Sequence, residues 1–328
     1  MPTTPPNKPR IRLGTRRSPL AMAQAHEARA RLCAAHGWDE SAVEIVPVVA
    51  GGDKVQDRPL ADLGGKALWT RELDAWLAEG KIDAAVHSMK DVETLRPEEI
   101  AIAAILPRAD RRDVLLGASS IAAIPRGSRL GTSAPRRAAQ MKNLRPDIET
   151  VLFRGNVATR MAKLQAGEAD VTLLAAAGLE RLGENGVGTP LEIDDWLPAP
   201  AQGAIGIECR ADDARARDLL AHIDHAPSNA EVMAERALLE GLGGTCHSPI
   251  GVHTALSDMG LSNGGLSERG LSNGGLRMVA TLFSADGAER VDGAVEVPRG
   301  DLDAIRAFAA DLLDRATPGI AALFSGAD

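Results

Sequence analysis

RIRLGTRRSPL (10–20) and RLGTSAPRRA (129–138) carry the reading of the fold, because the second restates the first. Each reads as a short strand ending in Gly-Thr. Serine, proline, paired arginines and an Ala-rich helix follow in both, in different order. In the first copy, Ser18 and Pro19 read as a helix N-cap and first helical residue. That helix runs to Cys33–Ala35 and stops at Gly37. A second echo follows in the same order. AEGKIDAAVHS (78–88) and QAGEADVTLLA (165–175) each close a helix at Gly and place Asp before an apolar strand. Two echoes in one order predict two α/β units of similar build. Alternating strand and helix signals favour mainly parallel or mixed sheets covered by helices. Ligands of such folds sit in a crevice at the C-terminal ends of strands.

Between the echoes, VEIVPVV (43–49) reads as a strand and GGDKVQDRPLADLGGK (51–66) as a mobile loop. Trp69, Leu73, Trp76 and Leu77 recur at helical spacing, and Gly80 ends that helix. AIGIECR (204–210) is a further strand with Ile205, Ile207 and Cys209 on one face. From about residue 226 the character changes. A helix, NAEVMAERALLEGL, leads to GGTCHSPIG (243–251). A Gly/Ser-rich tract then states GLSNGGL at 260–266 and again at 270–276. Strand-like RMVATLFS and AVEVP follow, then a helix over 301–316. This reads as a third, smaller α+β domain carrying a flexible insertion, 257–276, whose default role is a linker or floppy hairpin.

Composition excludes several classes. Hydrophobic residues at 45% and charged residues at 25% mark an ordinary globular chain, and 328 residues suit two or three domains. Aromatics at 2%, with no tyrosine, argue against base stacking on nucleic acid. A net charge of −8 argues against a general polyanion binder. Any anion site must be a local gathering of Arg and Lys in an acidic molecule. MPTTPPNKPR is polar and Pro-rich, and no run is long enough to span a membrane. Three scattered cysteines make no disulfide framework. The expectation is a cytoplasmic protein with no nucleic-acid or membrane partner.

Three segments share one design. GTRRSPL, GTSAPRRA and RGNVATR (154–160) each set Arg beside Gly, Ser, Thr or Asn at a helix start. Free N–H groups and the helix dipole favour an anion there, and the guanidinium fork matches a carboxylate or phosphate. One such motif is more often a solvated helix start; three suggest a ligand with several anionic groups. HSMKDV (87–92) places Ser88, Lys90 and Asp91 at the end of a buried strand. The bland alternative there is a surface Lys–Asp turn. Cys33 and Cys209 sit in packing contexts. Cys246 lies in an accessible loop beside Gly244, Thr245, His247 and Ser248. It reads as a covalent attachment point or nucleophile. Zinc on Cys246, His247 and His253 lacks a recognisable ligand pattern.

GTRRSPLA, AVHSMKDV, RGNVATR and QGAIGIECR occur here in the order of the porphobilinogen deaminase (hydroxymethylbilane synthase) family, and the chain resembles it from about residue 10 to 325. The resemblance implies two periplasmic-binding-protein-like α/β lobes around a cleft, plus a small α+β C-terminal domain. The implied divisions are 1–106 with 203–222, then 107–202, then 223–328. It implies a dipyrromethane cofactor held by a thioether to Cys246. Four porphobilinogen molecules then add head to tail, each losing ammonia, to give hydroxymethylbilane from a monomeric transferase of haem and other tetrapyrrole biosynthesis. By residue match, Ser88, Lys90, Thr132, Ser133, Arg136 and Arg137 bind the cofactor. Arg16, Ser18, Arg154, Arg160, Arg181 and Gln202 bind substrate. Lys66 lies on the active-site loop, and Asp91 is the catalytic aspartate. No metal is implied.

A magnitude assigns Asp91. Half-protonation at pH 7 needs a shift of about 3 units, or roughly 4 kcal/mol, and neighbouring arginines push the other way. Asp91 is therefore expected to act as a carboxylate that binds pyrrole N–H groups and stabilises the azafulvenium cation. The chain departs from the family pattern at Ala50-Gly51, Trp69, Ala134-Pro135, Thr245 and Ser248. These put fine cofactor contacts in doubt rather than the reaction. The rival class is a solute-binding or effector domain, also a two-lobed anion clamp, which needs neither Cys246 nor Asp91.

Overall fold

The structure is a computed structural model that describes residues 9–48, 70–257, 274–324 and 326. The chain opens with β1 (Ile11–Arg16), α1 (Pro19–His36), β2 (Val43–Val48), α2 (Arg71–Ala78), β3 (Ala84–Ser88) and β4 (Ile100–Ile105). It continues through β5 (Asp113–Leu116), β6 (Arg129–Thr132), α3 (Pro135–Leu144), β7 (Glu149–Leu152), α4 (Val157–Gln165), β8 (Val171–Ala175), α5 (Ala176–Arg181) and β9 (Thr189–Pro190). It then forms β10 (Ile205–Arg210), α6 (Ala214–Ala221) and α7 (Ala226–Leu242). The last elements are β11 (Ile250–Ser257), β12 (Gly275–Phe283), β13 (Arg290–Pro298), α8 (Leu302–Asp314) and α9 (Pro318–Ala321).

These strands make three sheets. The first runs β2-β1-β3-β10-β4 and the second β7-β6-β8-β5-β9. In each, the first three strands are parallel and the fourth is antiparallel to the third. The echo in sequence is thus a repeated topology. Its glycines have one physical reason. A Cβ on Gly14 would meet Ile82 Cδ1 at 2.3 Å, and one on Gly131 would meet the Phe153 ring at 2.5 Å. Both strands need a bare backbone where a neighbouring apolar side chain lies flat on them.

Each sheet has its own core. Ile11, Leu13, Leu32, Val86, Ile205, Ile207 and Cys209 fill the first. Leu115, Leu130, Met141, Leu173 and Trp196 fill the second. The third sheet, β11-β12-β13, is fully antiparallel and packs Val252, Met278 and Leu282 against Leu238 of α7 and Phe308 and Leu312 of α8. This is the expected arrangement of two α/β lobes and a smaller α+β unit. The first helix ends as expected, with Gly37 left-handed at φ 63° and its N–H on Cys33 O. Helix α7 starts at Ala226, ahead of the expected Asn229, because proline is tolerated in a first turn and His225 supplies the cap. The repeat tract is narrower than 257–276, since Ser257 and Gly275 are already paired. Most of it, like Lys66, Trp69 and the loop 51–66, lies outside the described residues. Among the described residues, no helix is long and apolar enough to cross a membrane.

Candidate active site

β3 ends in a single 3-10 turn, Met89–Asp91. Met89 is buried and plugs the first lobe, packing with Ile105 and Ala204. The turn therefore presents Lys90 and Asp91 outward. Neither side chain makes a hydrogen bond or ion pair among the described residues. Lys90 still touches water but is walled in by protein. That enclosure pushes its ammonium down to about 8, with Asp91 opposing and Arg137 reinforcing the fall. Asp113 and Arg136 are also within electrostatic reach of it. Asp91 is in turn within reach of Arg160, Cys246 and His247. The first lobe, the second lobe and the Cys246 loop thus meet around one unpaired carboxylate.

The second lobe brings the cations. Arg136 and Arg137 open α3 and are both buried at 4% exposure. Asp113, at the start of β5, receives both, at 2.8 Å from Arg136 and 2.7 Å from Arg137. Trp196 Nε1 and Gln202 Nε2 also donate to Asp113. This holds the Asp113 carboxyl far below its usual range. The arginines fare less well. Burial lowers Arg136, Arg137 lowers it further, and only Asp113 opposes. Arg136 Nε is buried without a hydrogen-bond partner. Two guanidiniums on one carboxylate leave an excess of one positive charge. Nearby, Arg160 Nη2 donates to Ser133 Oγ at 3.3 Å and Nε to Gly155 O at 3.1 Å. Arg160 has no carboxylate partner among the described residues. Burial first, then Arg137 and Arg154, push it down to about 10.

The three helix starts differ in what they leave free. Ser18 caps α1 by accepting from Ala21 N, and Asn156 caps α4 by accepting from Thr159 N at 2.9 Å. Ala134 gives α3 no side-chain cap. Thr132 is buried and accepts from Ala134 N instead. So two of the three helix starts already use their own side chains, and only the one at Pro135 keeps its N–H groups uncapped.

Cys246 lies in the loop between α7 and β11, with its side chain accessible to water. Protein surrounds it on the other sides. That desolvation, with Asp91 and Glu93, pushes the thiol up to about 12. The other cysteines differ. Cys209 is inside the first core, where burial raises its thiol to about 11. Cys33 points its sulfur at Asp39 O, 3.6 Å away. Among the described residues, no group of three or more His, Cys, Asp or Glu is placed to hold a metal.

Some residues expected at the site are engaged with protein. Ser88 exchanges hydrogen bonds with Gln24 at 2.8 and 3.0 Å. Arg181 pairs with Glu27 at 3.3 Å and donates to Gly203 O. Gln202 is buried and donates to Arg111 O and Asp113. Arg16 closes β1. Sequence reasoning did not single out Asp113, Gln24 or Glu235. Glu235 accepts from Arg108, Thr254 and Ala201 N, where the chain crosses back between lobes. The signal for Asp113 is weak, an Asp that opens the apolar run DVLL directly after two arginines. Two cavities of about 610 and 340 Å³ lie beside the end of α3, one against β7 and the β12–β13 turn and one against the third sheet, and none of the site residues lines either.

Comparison with known proteins identifies the family. Residues 11–218 match the family model for the porphobilinogen deaminase dipyrromethane cofactor-binding domain, and residues 229–304 match the porphobilinogen deaminase C-terminal domain. Porphobilinogen deaminase of Sphingopyxis alaskensis is 55% identical over 325 residues, covering 98% of each chain. That of Nitrobacter winogradskyi is 43% identical, covering 96% of each. The chloroplastic enzyme of Oryza sativa is 48% identical over 75% of this chain and 70% of its own. Among solved structures, the Bordetella pertussis BvgS periplasmic VFT2 domain aligns with a TM-score of 0.40 at 14% identity, over 69% of this chain and 92% of that one. Two family models across most of the length, with full-length relatives, place the chain in the porphobilinogen deaminase family.

Proposed function

We propose that the junction of Asp91, Lys90, the α3–α4 arginines and Cys246 is where this chain carries out the family's reaction, with each residue in a definite role. The observation that carries the proposal is an imbalance of charge. Among the described residues, Lys90 and Arg160 are enclosed cations with no carboxylate partner, and Arg136 keeps an orphaned Nε beside an overcommitted Asp113. Buried charges are normally paired. A ligand bearing several carboxylates supplies what is missing. The acetate and propionate groups of pyrroles meet that requirement, so the residues fit a dipyrromethane. Cys246 would hold it by a thioether, with Lys90, Ser88, Thr132, Ser133, Arg136 and Arg137 around it. When bound, it supplies the free pyrrole α-carbon on which the chain grows.

Arg154 and Arg160, with Arg16, Ser18, Arg181 and Gln202, would seat the carboxylates of incoming porphobilinogen. Asp91 accepts the pyrrole N–H of the substrate. Its charge stabilises the azafulvenium cation that forms when the aminomethyl C–N bond breaks and ammonia leaves. Asp91 would also take or relay the proton given up when the carbon–carbon bond forms. After four additions, water completes release of hydroxymethylbilane. The unpaired state of Asp91 suits this role, since no donor among the described residues competes for its oxygens. Domains of 1–106 with 203–222, 107–202 and 223–328, Lys66 on an active-site loop, and a cytoplasmic monomer complete the reading. Purified protein given porphobilinogen should release four ammonia molecules per tetrapyrrole. Binding of porphobilinogen without ammonia release would favour the anion-clamp class instead.

A further inference from the structure

Asp91 and Cys246 belong to different units, yet the segments that carry them are bonded directly. Thr94 Oγ1 donates to Gly244 O at 2.8 Å, three residues past Asp91 and two before Cys246. Arg236 of α7 is 7% exposed and donates through Nη2 to Glu93 O at 2.7 Å and Thr94 O at 2.9 Å. Arg236 makes no ion pair among the described residues. Burial lowers its guanidinium, so this cation is held at a cost with no carboxylate bonded to it. Two backbone carbonyls neutralise nothing, but they fix where the chain runs.

The same segment is held from the other side. The Glu93 carboxylate accepts from Arg96 Nη1 and Thr70 Oγ1, both at 2.8 Å. Arg96 reaches Glu208 of β10 through Nε and Nη2 at 2.9 Å each, and Asp74 of α2 at 2.6 Å. Glu208 is fully buried in the first sheet. Residues 93–96 therefore form a strap. Arg96 ties it to the first lobe, and Arg236 and Thr94 tie it to the C-terminal unit.

We infer that Thr94 and Arg236 are positioning residues, which hold the Asp91 turn at a constant span from the Cys246 loop. The inference rests on the roles proposed above for Asp91 and Cys246. It has a consequence for elongation. As pyrroles accumulate, the C-terminal unit cannot retreat from the Asp91 turn without breaking three hydrogen bonds, and the Cys246 loop cannot retreat alone without breaking the one from Thr94 to Gly244. The added length must then be taken up elsewhere in the junction, toward the second-lobe arginines. Loosening the strap should slow every addition by a similar factor, because each one uses the same Asp91.

The test uses cofactor-loaded protein. Thr94→Val deletes one hydroxyl at nearly constant volume. It should lower kcat about three- to ten-fold, the worth of one neutral hydrogen bond, with KM unchanged and Tm lower by only about a few degrees. Thr94→Ser should restore the rate. Intermediates carrying one, two and three added units should keep their wild-type proportions on quenching. Adding Arg236→Met to Thr94→Val should cost less than the product of the separate losses, since both release one strap. Wild-type kcat in Thr94→Val, failure of Thr94→Ser to restore it, or selective build-up of late intermediates overturns the inference. Asp91→Asn made in parallel separates the two levels. A slow Asp91→Asn with a fast Thr94→Val removes the strap alone, whereas a fast Asp91→Asn removes the reading beneath it.

Discussion

The two lobes repeat one strand order and use it for opposite charge. After β3 the first lobe inserts a 3-10 turn, which exposes the Asp91 carboxylate. After β8 the second lobe passes straight into α5, and its cations come from the starts of α3 and α4 instead. The equivalent turns after β1 and β6 differ in the same sense. Ser18 caps α1 from within, whereas Ala134 leaves the α3 terminus open. A shared topology thus supplies two rigid faces, and a few residues at strand ends decide which face carries the anion. Lys90 apart, the anion and the cations come from separate lobes, so Asp91 and the arginines do not have to neutralise one another inside one core.

The sharpest way to break this comparison is to remove the first lobe's charge. In Asp91→Asn the shape is kept and the charge lost. A charge pair at 4 Å and an effective dielectric of about 20 is worth about 4 kcal/mol. Single-turnover ammonia release by cofactor-loaded Asp91→Asn should therefore fall roughly a thousand-fold. Asp91→Glu should keep some activity. A near-wild-type rate in Asp91→Asn would place the catalytic group elsewhere.

In the second lobe, the corresponding carboxylate is expected to act on stability. Asp113→Asn leaves two buried guanidiniums facing a neutral group, and breaking such a pair costs about 3–5 kcal/mol. Its melting temperature should drop by on the order of 10 °C. The native pair, with Asp113 held low, contributes fully above the ordinary carboxylate range and is lost only as pH falls toward the depressed folded value. An unchanged melting temperature would show that Asp113 is not the anchor of Arg136 and Arg137.

The cations themselves come next. Arg154→Leu or Arg160→Leu each removes a charge-assisted contact worth roughly 1.5–3 kcal/mol. Activity should fall about ten- to a hundred-fold, or the chain should stall at an intermediate length, with little change in melting temperature. Wild-type rates with a large loss of melting temperature would make these arginines structural.

How much of this was legible in the sequence depends on distance along the chain. The repeat at Gly14 and Gly131 showed two like lobes, because strand, turn and helix signals are local. Cys246 stood out because glycine and Thr245 surround it. The arginines were legible as a group but not individually. Arg181 turned toward Glu27, a partner 154 positions away, and Gln202 turned toward Asp113. Such pairings are set by tertiary packing, and no spacing rule reports them. The 3-10 turn that exposes Asp91 was also invisible, since it depends on Met89 finding a pocket beside Ile105 and Ala204.

Smaller effects sharpen the picture. Lys90 in cofactor-free protein is pushed to about 8, so its charge is lost as pH rises through that value. Compared at equal pH, which cancels the rising thiolate fraction of Cys246, wild-type cofactor attachment should fall behind that of Lys90→Arg above about pH 8. Folding stability should move the opposite way. Between about 8 and the ordinary lysine value the unfolded chain holds a proton that the folded one has released, so stability rises with pH there. A ratio of the two attachment rates that stays flat to about pH 10 would remove Lys90 from cofactor binding. The smallest effect is expected in the Gly/Ser tract. β11 and β12 are already paired from Ile250↔Leu282 to Ser257↔Gly275. Replacing residues 258–273 with a short Asn-Gly turn should leave activity within a few-fold. A large loss with the fold intact would give the tract a function.

The most direct measurement of the central claim is the intact mass of purified protein, wild type beside Cys246→Ala and Cys33→Ala. Wild type and Cys33→Ala should each be heavier than the bare chain by two pyrrole units and give a positive Ehrlich reaction. Cys246→Ala should fold, show the bare mass and lack activity. An adduct of the same mass retained on Cys246→Ala would contradict the account.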